Sequence, residues 1–446
     1  MTSGAGTWRN WSGRVHASPV RVARPGGTDE VASAVQEAAR AGVTVKAVGS
    51  GHSFSEIAVA EGVQLRLDRM DRLLALDAAT GLVTVQAGIG LHQLNPLLAA
   101  AGLAMTNLGD IDRQTVAGAT STGTHGTGVR FGGISTQIRG LRLVLADGTV
   151  ADCSPTRRPD LFAAARVSLG ALGIVTEVTL QCEPLFVLNT RERPMPLEQT
   201  LEELPGLVDG NDHFEFFWFP HTSTALTKSG TRLPGDAERR PVGRVQDLLV
   251  NEVLANGVFG LALRAGARLP RTIPAITRAA TAGYSASEVT DHSYRVFPSH
   301  RAVRFNESEF AVPRAVVVDV LREMKRWVDG HDEKVAFPFE VRFAAPDDIW
   351  LSTAYQRESA YIAFHQYHRL PYRRFFDAME AILREADGRP HWGKMHNLVA
   401  ADLRPRYERF DDFVALRDEV DPAGVFGNAY LDRVLGPAPV GTARAG

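Results

Sequence analysis

The sequence predicts an α+β protein of two domains, and three observations carry that prediction. A helix-then-strand unit opens the chain over residues 28–48, and the same order recurs later. Hairpin signals follow it as far as about residue 180. Pro184 then breaks the pattern, and a dense aromatic run appears at residues 213–219. At 446 residues the chain exceeds one ordinary domain. The boundary is placed within residues 183–190, which divides the chain into residues 1–185 and 186–446.

Residues 28–42 read as a helix, with Thr28 as its cap, Asp29 and Glu30 at its positive end and Gly42 as its stop. Val31, Ala34, Val35, Ala38 and Ala39 form its apolar stripe. Residues 43–48 and 63–67 read as strands. Leu73 to Asp77 and Leu82 to Ala87 form one hairpin, and residues 138–145 and 149–153 form another around Asp147-Gly148. Residues 91–101 read as a helix despite Pro96. Leu161 to Val167 is a further helix, and Ile174 to Leu180 a strand. In the second half, residues 213–219 form a buried aromatic strand. Residues 229–246 read as an exposed loop and residues 250–283 as helical.

Two glycine-rich stretches stand out. Val48-Gly49-Ser50-Gly51-His52-Ser53-Phe54 follows the strand 43–48 and turns several backbone N–H groups into a nest that suits a pyrophosphate. On these seven residues alone, His52 reads best as a turn histidine hydrogen-bonded to backbone. The second stretch runs from Leu108-Gly109-Asp110 through Thr115 to Gly128. His125 is the one long side chain between Thr115 and Gly128. Such a run lets a flat or anionic body approach the backbone, whereas the plainer reading is a flexible polar loop.

Three polar groups could carry chemistry. Strict alternation over residues 335–343 puts Val335, Phe337, Phe339, Val341 and Phe343 on one strand face and Glu340 and Arg342 on the other. Alone, that pair reads as a solvated surface ion pair. The functional alternative is a carboxylate orienting a guanidinium toward developing charge. His365 shares a strand face with Tyr361, Ala363 and Tyr367, and reads equally as a base or as a satisfied core histidine. His391-Trp392-Gly393-Lys394 alone reads as a surface loop.

Other classes are excluded. Lys plus Arg total 49 and Asp plus Glu 51, so nothing favours nucleic acid or an acidic membrane. Two cysteines rule out a disulfide framework and suit a reducing compartment. No signal peptide and no membrane-spanning run is visible, so a cytoplasmic protein is expected. Paired-cysteine and His-Glu-x-x-His metal motifs are absent, so no metal is expected. There is no Gly-x-Ser-x-Gly elbow and no Gly-x-Gly-x-x-Gly dinucleotide fingerprint.

The residues 48–54 motif, Ala117-Gly118-Ala119 with Ser121 to Gly126, Gly170-Ala171-Leu172-Gly173-Ile174-Val175, Phe339-Glu340-Val341-Arg342 and His391-Trp392-Gly393-Lys394 occur in an order that resembles flavoproteins of the vanillyl-alcohol oxidase family. Within it, the chain is similar to the aldonolactone oxidoreductases. These comprise gulonolactone and arabinonolactone oxidases and dehydrogenases, with the related alditol oxidases. The resemblance runs from Trp8 to Leu435. It implies a PCMH-type FAD-binding domain over residues 1–185. It also implies a mixed α/β substrate or cap domain with a large antiparallel sheet over residues 186–446, whose last part returns to the first domain.

The resemblance also assigns roles. His52 becomes the histidine bonded to the flavin 8α-methyl group, and Val48, Gly49, Ser50, Gly51, Ser53 and Phe54 cradle the pyrophosphate. Gly109, Asp110, Thr115, Gly118, Ser121, Thr122, Gly123, Thr124 and His125 line the flavin, with Ile174 or Val175 meeting it through backbone. Glu340, Arg342, His365 and Lys394 form the substrate side. Arg342, oriented by Glu340, holds the reacting hydroxyl while hydride leaves for flavin N5, His365 positions or deprotonates that hydroxyl, and Lys394 stabilises charge near N1. The absence of cysteine between residues 108 and 128 implies single attachment. Cytokinin dehydrogenases share the Gly-His-Ser anchor but not the His-Trp-Gly-Lys ending.

Asp110 and Tyr367 stand where alditol oxidases carry serine and threonine, which favours a sugar 1,4-lactone such as L-gulono-1,4-lactone or D-arabinono-1,4-lactone over a polyol. Gly109 stands where oxygen access is gated, which is compatible with dioxygen as acceptor and leaves a quinone or cytochrome open. A non-catalytic flavin-binding protein is the alternative of another class, and joint retention of Glu340, Arg342 and Lys394 speaks against it.

Overall fold

The computed structural model describes residues 6–241, 259–299 and 303–439. Strands β1 (Arg21–Ala23), β2 (Val45–Val48) and β3 (Val63–Arg66) form a parallel sheet in the order β1-β3-β2. Helix α1 (Thr28–Arg40) buries Val31, Ala34, Val35 and Ala38, the stripe read from the sequence. Its cap is Gly27 rather than Thr28, whose hydroxyl instead bonds Thr176. β2 begins at Val45, because Gly42 at φ 65° lets the Val43 N–H close back on Ala38 O.

Strands β4 (Leu73–Asp77), β5 (Leu82–Gln86), β6 (Ile138–Val144), β7 (Val150–Cys153) and β8 (Ile174–Gln181) form an antiparallel sheet in the order β7-β6-β8-β5-β4. Both expected hairpins are present in it. Helix α2 (Leu91–Ala100) runs through Pro96. The second glycine-rich stretch is not wholly loop, since Val116–Ser121 forms helix α3.

From Phe186 onward the chain builds a third sheet. Its strands are β9 (Phe186–Pro196), β10 (His213–Trp218), β11 (Thr224–Pro234), β12 (Ser287–His292), β13 (Phe305–Pro313), β14 (Phe339–Ala344), β15 (Ser359–Tyr367) and β16 (Arg389–Pro390). They pair antiparallel in the order β12-β9-β11-β10-β14-β15-β13-β16. Residues 229–234, expected as loop, instead extend β11, because each pairs with β9. Residues 242–246 of that loop, and 250–258 of the expected helical region, lie outside the described residues.

The central strands are covered on both sides. One face presents Phe339, Val341, Phe343, Ile362 and Phe364 to helices Val317–Gly330 and Arg373–Glu385. Phe364 packs edge-on against Phe375 at 5.7 Å and Phe376 at 5.0 Å. Phe364→Ala is expected to cost about 3–5 kcal/mol, the range for a buried phenylalanine, and to lower the thermal midpoint. The opposite face carries Glu340 and Arg342, and glycine-rich loops from the first half cover it. Gly128 N–H donates to Phe343 O at 2.8 Å. The end of the chain returns to the first sheet, where Val45 N–H donates to Val425 O at 2.7 Å.

Candidate active site

The two glycine-rich stretches pack against each other because neither has a side chain in the way. A Cβ at Gly49 would overlap the Thr115 hydroxyl, and one at Gly118 would sit 2.9 Å from it. That hydroxyl caps α3 by accepting from Gly118 N–H. Gly51 at φ 73° supplies the sharp turn. The turn Leu169-Gly170, with φ 56° and 65°, and the start of β8 close a third wall. The groove between them is lined by Gly49 to Ser53, Thr115, Gly118, Ser121, Thr122, Ile174 and Val175.

A second cavity of about 610 Å³ shares His52, Ser53, Gln114 and Thr122 with that groove, so the two spaces meet at His52. The imidazole stacks on Trp11 at 5.9 Å. It has no hydrogen-bond partner among the described residues, which overturns the turn-histidine reading. Burial, reinforced by the Lys394 charge, lowers its pKa to about 4, so the ring is neutral at neutral pH.

The cavity's other wall is charged. Arg342, buried on β14, donates through Nε to Glu215 at 2.8 Å, pairs with Glu340, and approaches Asp110 through Nη1 at 3.5 Å. Lys228 joins Glu215 at 3.0 Å. Burial opposes the guanidinium charge, but Glu340, then Asp110 and Glu215, hold its pKa well above the usual value. Burial likewise opposes ionisation of Glu215, yet Lys228 and Arg342 bring it down to about 2. The surface ion pair expected from alternation is therefore a buried network. Asp110 and Arg342 line the cavity, and Glu340 holds Arg342 from behind.

His391-Trp392-Gly393-Lys394 is no surface loop. Trp392 is fully buried and donates through Nε1 to Leu351 O at 2.7 Å, while Gly393 O accepts from Phe54 N–H at 2.6 Å. Lys394 is thereby fixed in the cavity wall, its Nζ 2.5 Å from Glu307 and over the Phe54 ring at 5.3 Å. His365 stands one layer back. Its Nδ1 faces Pro338 O at 3.0 Å and its Nε2 lies 3.3 Å from Glu307, whose carboxylate intervenes between the ring and the cavity. The pairing of β13 with β15 sets Glu307 directly opposite His365.

The remaining expected residues divide. Phe54, Thr122, Thr124 and His125 line the cavity, with His125 stacked on Tyr361 and bonded to Glu309 at 3.1 Å. Val48 ends β2 in the core, and Gly109 and Gly123 line neither space. Tyr367 packs with Leu263 and Ile273 away from the cavity, so its identity says nothing about substrate. Glu215, Glu307 and Glu309 escaped sequence reasoning; Glu215 sits between Phe214 and Phe216 in an apolar run, whereas Glu307 and Glu309 alternate with Asn306 and Ser308, so no apolar pattern singles them out. Gln114 and His391 also line the cavity.

A family model described as D-arabinono-1,4-lactone oxidase matches residues 178–434, and one described as FAD binding domain matches residues 19–154. The L-gulono-1,4-lactone dehydrogenase of Mycobacterium tuberculosis is 46% identical, over 96% of this chain and 99% of its own. The L-gulonolactone oxidase of Mus musculus is 34% identical over 96% and 98%. The alditol oxidase of a Streptomyces species is 33% identical over the same shares. Among solved structures, cholesterol oxidase from B. sterolicum superposes with a TM-score of 0.82 at 18% identity, covering 97% of this chain and 96% of that one, which shows a shared fold.

Proposed function

The chain belongs to the D-arabinono-1,4-lactone oxidase family, with an FAD-binding domain toward its N-terminus, and we propose that it oxidises a CH–OH group of a sugar-derived 1,4-lactone. The carrying observation is the meeting of a side-chain-free groove and a cationic cavity at His52. The residues fit FAD. Gly49, Ser50, Gly51, Ser53, Thr115, Gly118, Ser121, Thr122, Ile174 and Val175 would hold it along the groove, with His52 as covalent anchor. Bound FAD supplies the two-electron acceptor for hydride leaving the substrate carbon.

The chain's own residues bind and orient. Arg342 is locked by Glu215 and Glu340, which leaves Nη1 toward Asp110 and the cavity to hold the reacting hydroxyl. The hydroxyl proton leaves toward a carboxylate, and Asp110, beside Arg342 Nη1 in the cavity wall, is the one placed for it. Lys394 supplies a fixed positive charge for the negative charge that builds up during reaction. His365, set behind Glu307, acts indirectly. Asp110 in the wall favours a lactone such as L-gulono-1,4-lactone or D-arabinono-1,4-lactone. A cytoplasmic location belongs to the same reading, and no helix among the described residues is long and apolar enough to cross a membrane.

Anaerobic mixing with L-gulono-1,4-lactone, D-arabinono-1,4-lactone and xylitol tests the proposal. Either lactone should bleach the flavin band, and faster than xylitol. Bleaching by xylitol alone would make the protein a polyol oxidase, and failure of every sugar lactone and polyol to bleach the flavin would revive the binding-protein alternative. Repetition in air separates dioxygen from a quinone or cytochrome as acceptor, because the band returns only if dioxygen reoxidises the enzyme.

A further inference from the structure

Glu307 is a buried carboxylate in the cavity wall, and two cation-capable side chains converge on it. Alternation along β13 turns Glu307 and Glu309 to one face and Ser308 and Phe310 to the other. One oxygen of Glu307, Oε1, lies 2.5 Å from Lys394 Nζ and 3.3 Å from His365 Nε2. The Met395 N–H donates to the Glu307 backbone carbonyl at 3.0 Å, so strand and lysine loop are tied at the same point. We propose that Glu307 is a positioning residue, which aims Lys394 into the cavity and keeps its ammonium charged, and that His365 reaches the site only through Glu307.

A lysine partly withdrawn from water into a cavity wall loses its proton more readily unless an acid compensates it. Burial works against the Lys394 charge. Glu307, followed by Glu309 and Asp110, overcomes burial and raises the pKa above the ordinary value. Glu307 itself is opposed by burial, yet Lys394 and His365 bring it down to about 2, so it stays ionised wherever the protein works. Among the described residues, the charged and titratable groups facing Lys394 are Glu307 and Glu309 from β13, Asp110 from the segment before α3, His52 from the glycine nest and His391 from its own loop. Of these, Glu307 is in direct contact. Its removal lowers the pKa of Lys394 and moves ammonium loss toward neutral pH.

The proposal rests on the reading of this cavity as the FAD site, and its test needs no lactone. The midpoint potential of the FAD-loaded protein is measured against pH with reference dyes and a chemical reductant. Glu307→Gln keeps an oxygen acceptor for Lys394 but removes the charge. The alkaline break in the profile should move toward neutrality by about 1–3 pH units. Glu307→Asp should move it less, in the same direction. Lys394→Met should abolish the break with or without Glu307→Gln, and His365→Asn should alter the profile only while Glu307 is present. An unmoved break in Glu307→Gln, or a shift that persists with Lys394→Met, overturns the role of Glu307. Additive effects of His365→Asn and Glu307→Gln overturn that of His365. Should Glu307→Gln fail to retain FAD, Glu307→Asp is read in its place, and an unmoved break there overturns the proposal. A protein that shows the shift yet is bleached by no lactone leaves this inference standing and removes only the substrate.

Discussion

Arg342→Ala lowers the anaerobic rate of flavin reduction by on the order of 10³-fold, about 4 kcal/mol of barrier, while the visible FAD spectrum persists. The size follows from what Arg342 does in its wall. It meets Glu215, Glu340 and Asp110 together, and of its groups Nη1 has the loosest contact. A guanidinium held on two sides reaches a hydroxyl with little freedom left to lose. Its removal also leaves three carboxylates close together, so at least one takes up a proton and the wall changes sign. Arg342→Lys separates the two effects. A lysine restores charge but not the planar fork, so it should recover binding more than rate. Stopped-flow reduction by L-gulono-1,4-lactone measures both variants, and a wild-type rate in Arg342→Ala ends the assignment. The groove residues lie elsewhere, so loss of FAD from Arg342→Ala would mean that the wall also shapes the cofactor site.

How far this site could be read beforehand depended on the range of the interactions. The nest at residues 48–54 was legible because turn chemistry is local: a strand, two glycines and a positive φ at Gly51 suffice. Glu340 and Arg342 were legible because alternation places them on one face. Alternation does not reveal what covers that face. The pair therefore read as solvated, although the Gly128 loop and Asp110, over 200 residues earlier in the chain, close over it. The same limit explains His365. Its face was right, but only the pairing of β13 with β15 shows that Glu307 stands in front of it. Lys394 was assigned through resemblance alone, since the anchor of its loop is Leu351 O, whose distance along the chain no local pattern spans. The extension of β11 to Pro234 was missed for a related reason. Gly230 and Pro234 read as loop, and only the ladder with β9 holds them extended.

His52→Ala turns a protein that stays yellow through acid precipitation into one that releases its colour to the supernatant. The bond to be formed needs an imidazole with a free lone pair, beside the cofactor, with no other partner to satisfy. Each condition has a physical cause in the fold. Burial, then the Lys394 ammonium, lowers the pKa to about 4, so the ring is neutral across the working range. The ring sits where groove and cavity meet, because β2 ends at Val48 and the Gly51 turn sends the chain across their junction. Trp11 stacks on one side of the ring and restricts its rotation. The outcomes separate cleanly. If wild-type protein gives up its flavin on precipitation, the link does not form, and the nest with Thr115 and Gly118 still accounts for binding. If His52→Ala retains yellow precipitate, attachment is through another side chain. Cysteine is ruled out for that role, since Cys153 and Cys182 are buried away from both spaces and burial pushes each thiol up to about 12. If the variant binds FAD reversibly and is still reduced by lactone, only more slowly, then the bond anchors and tunes the cofactor, while Arg342 and Lys394 carry the chemistry.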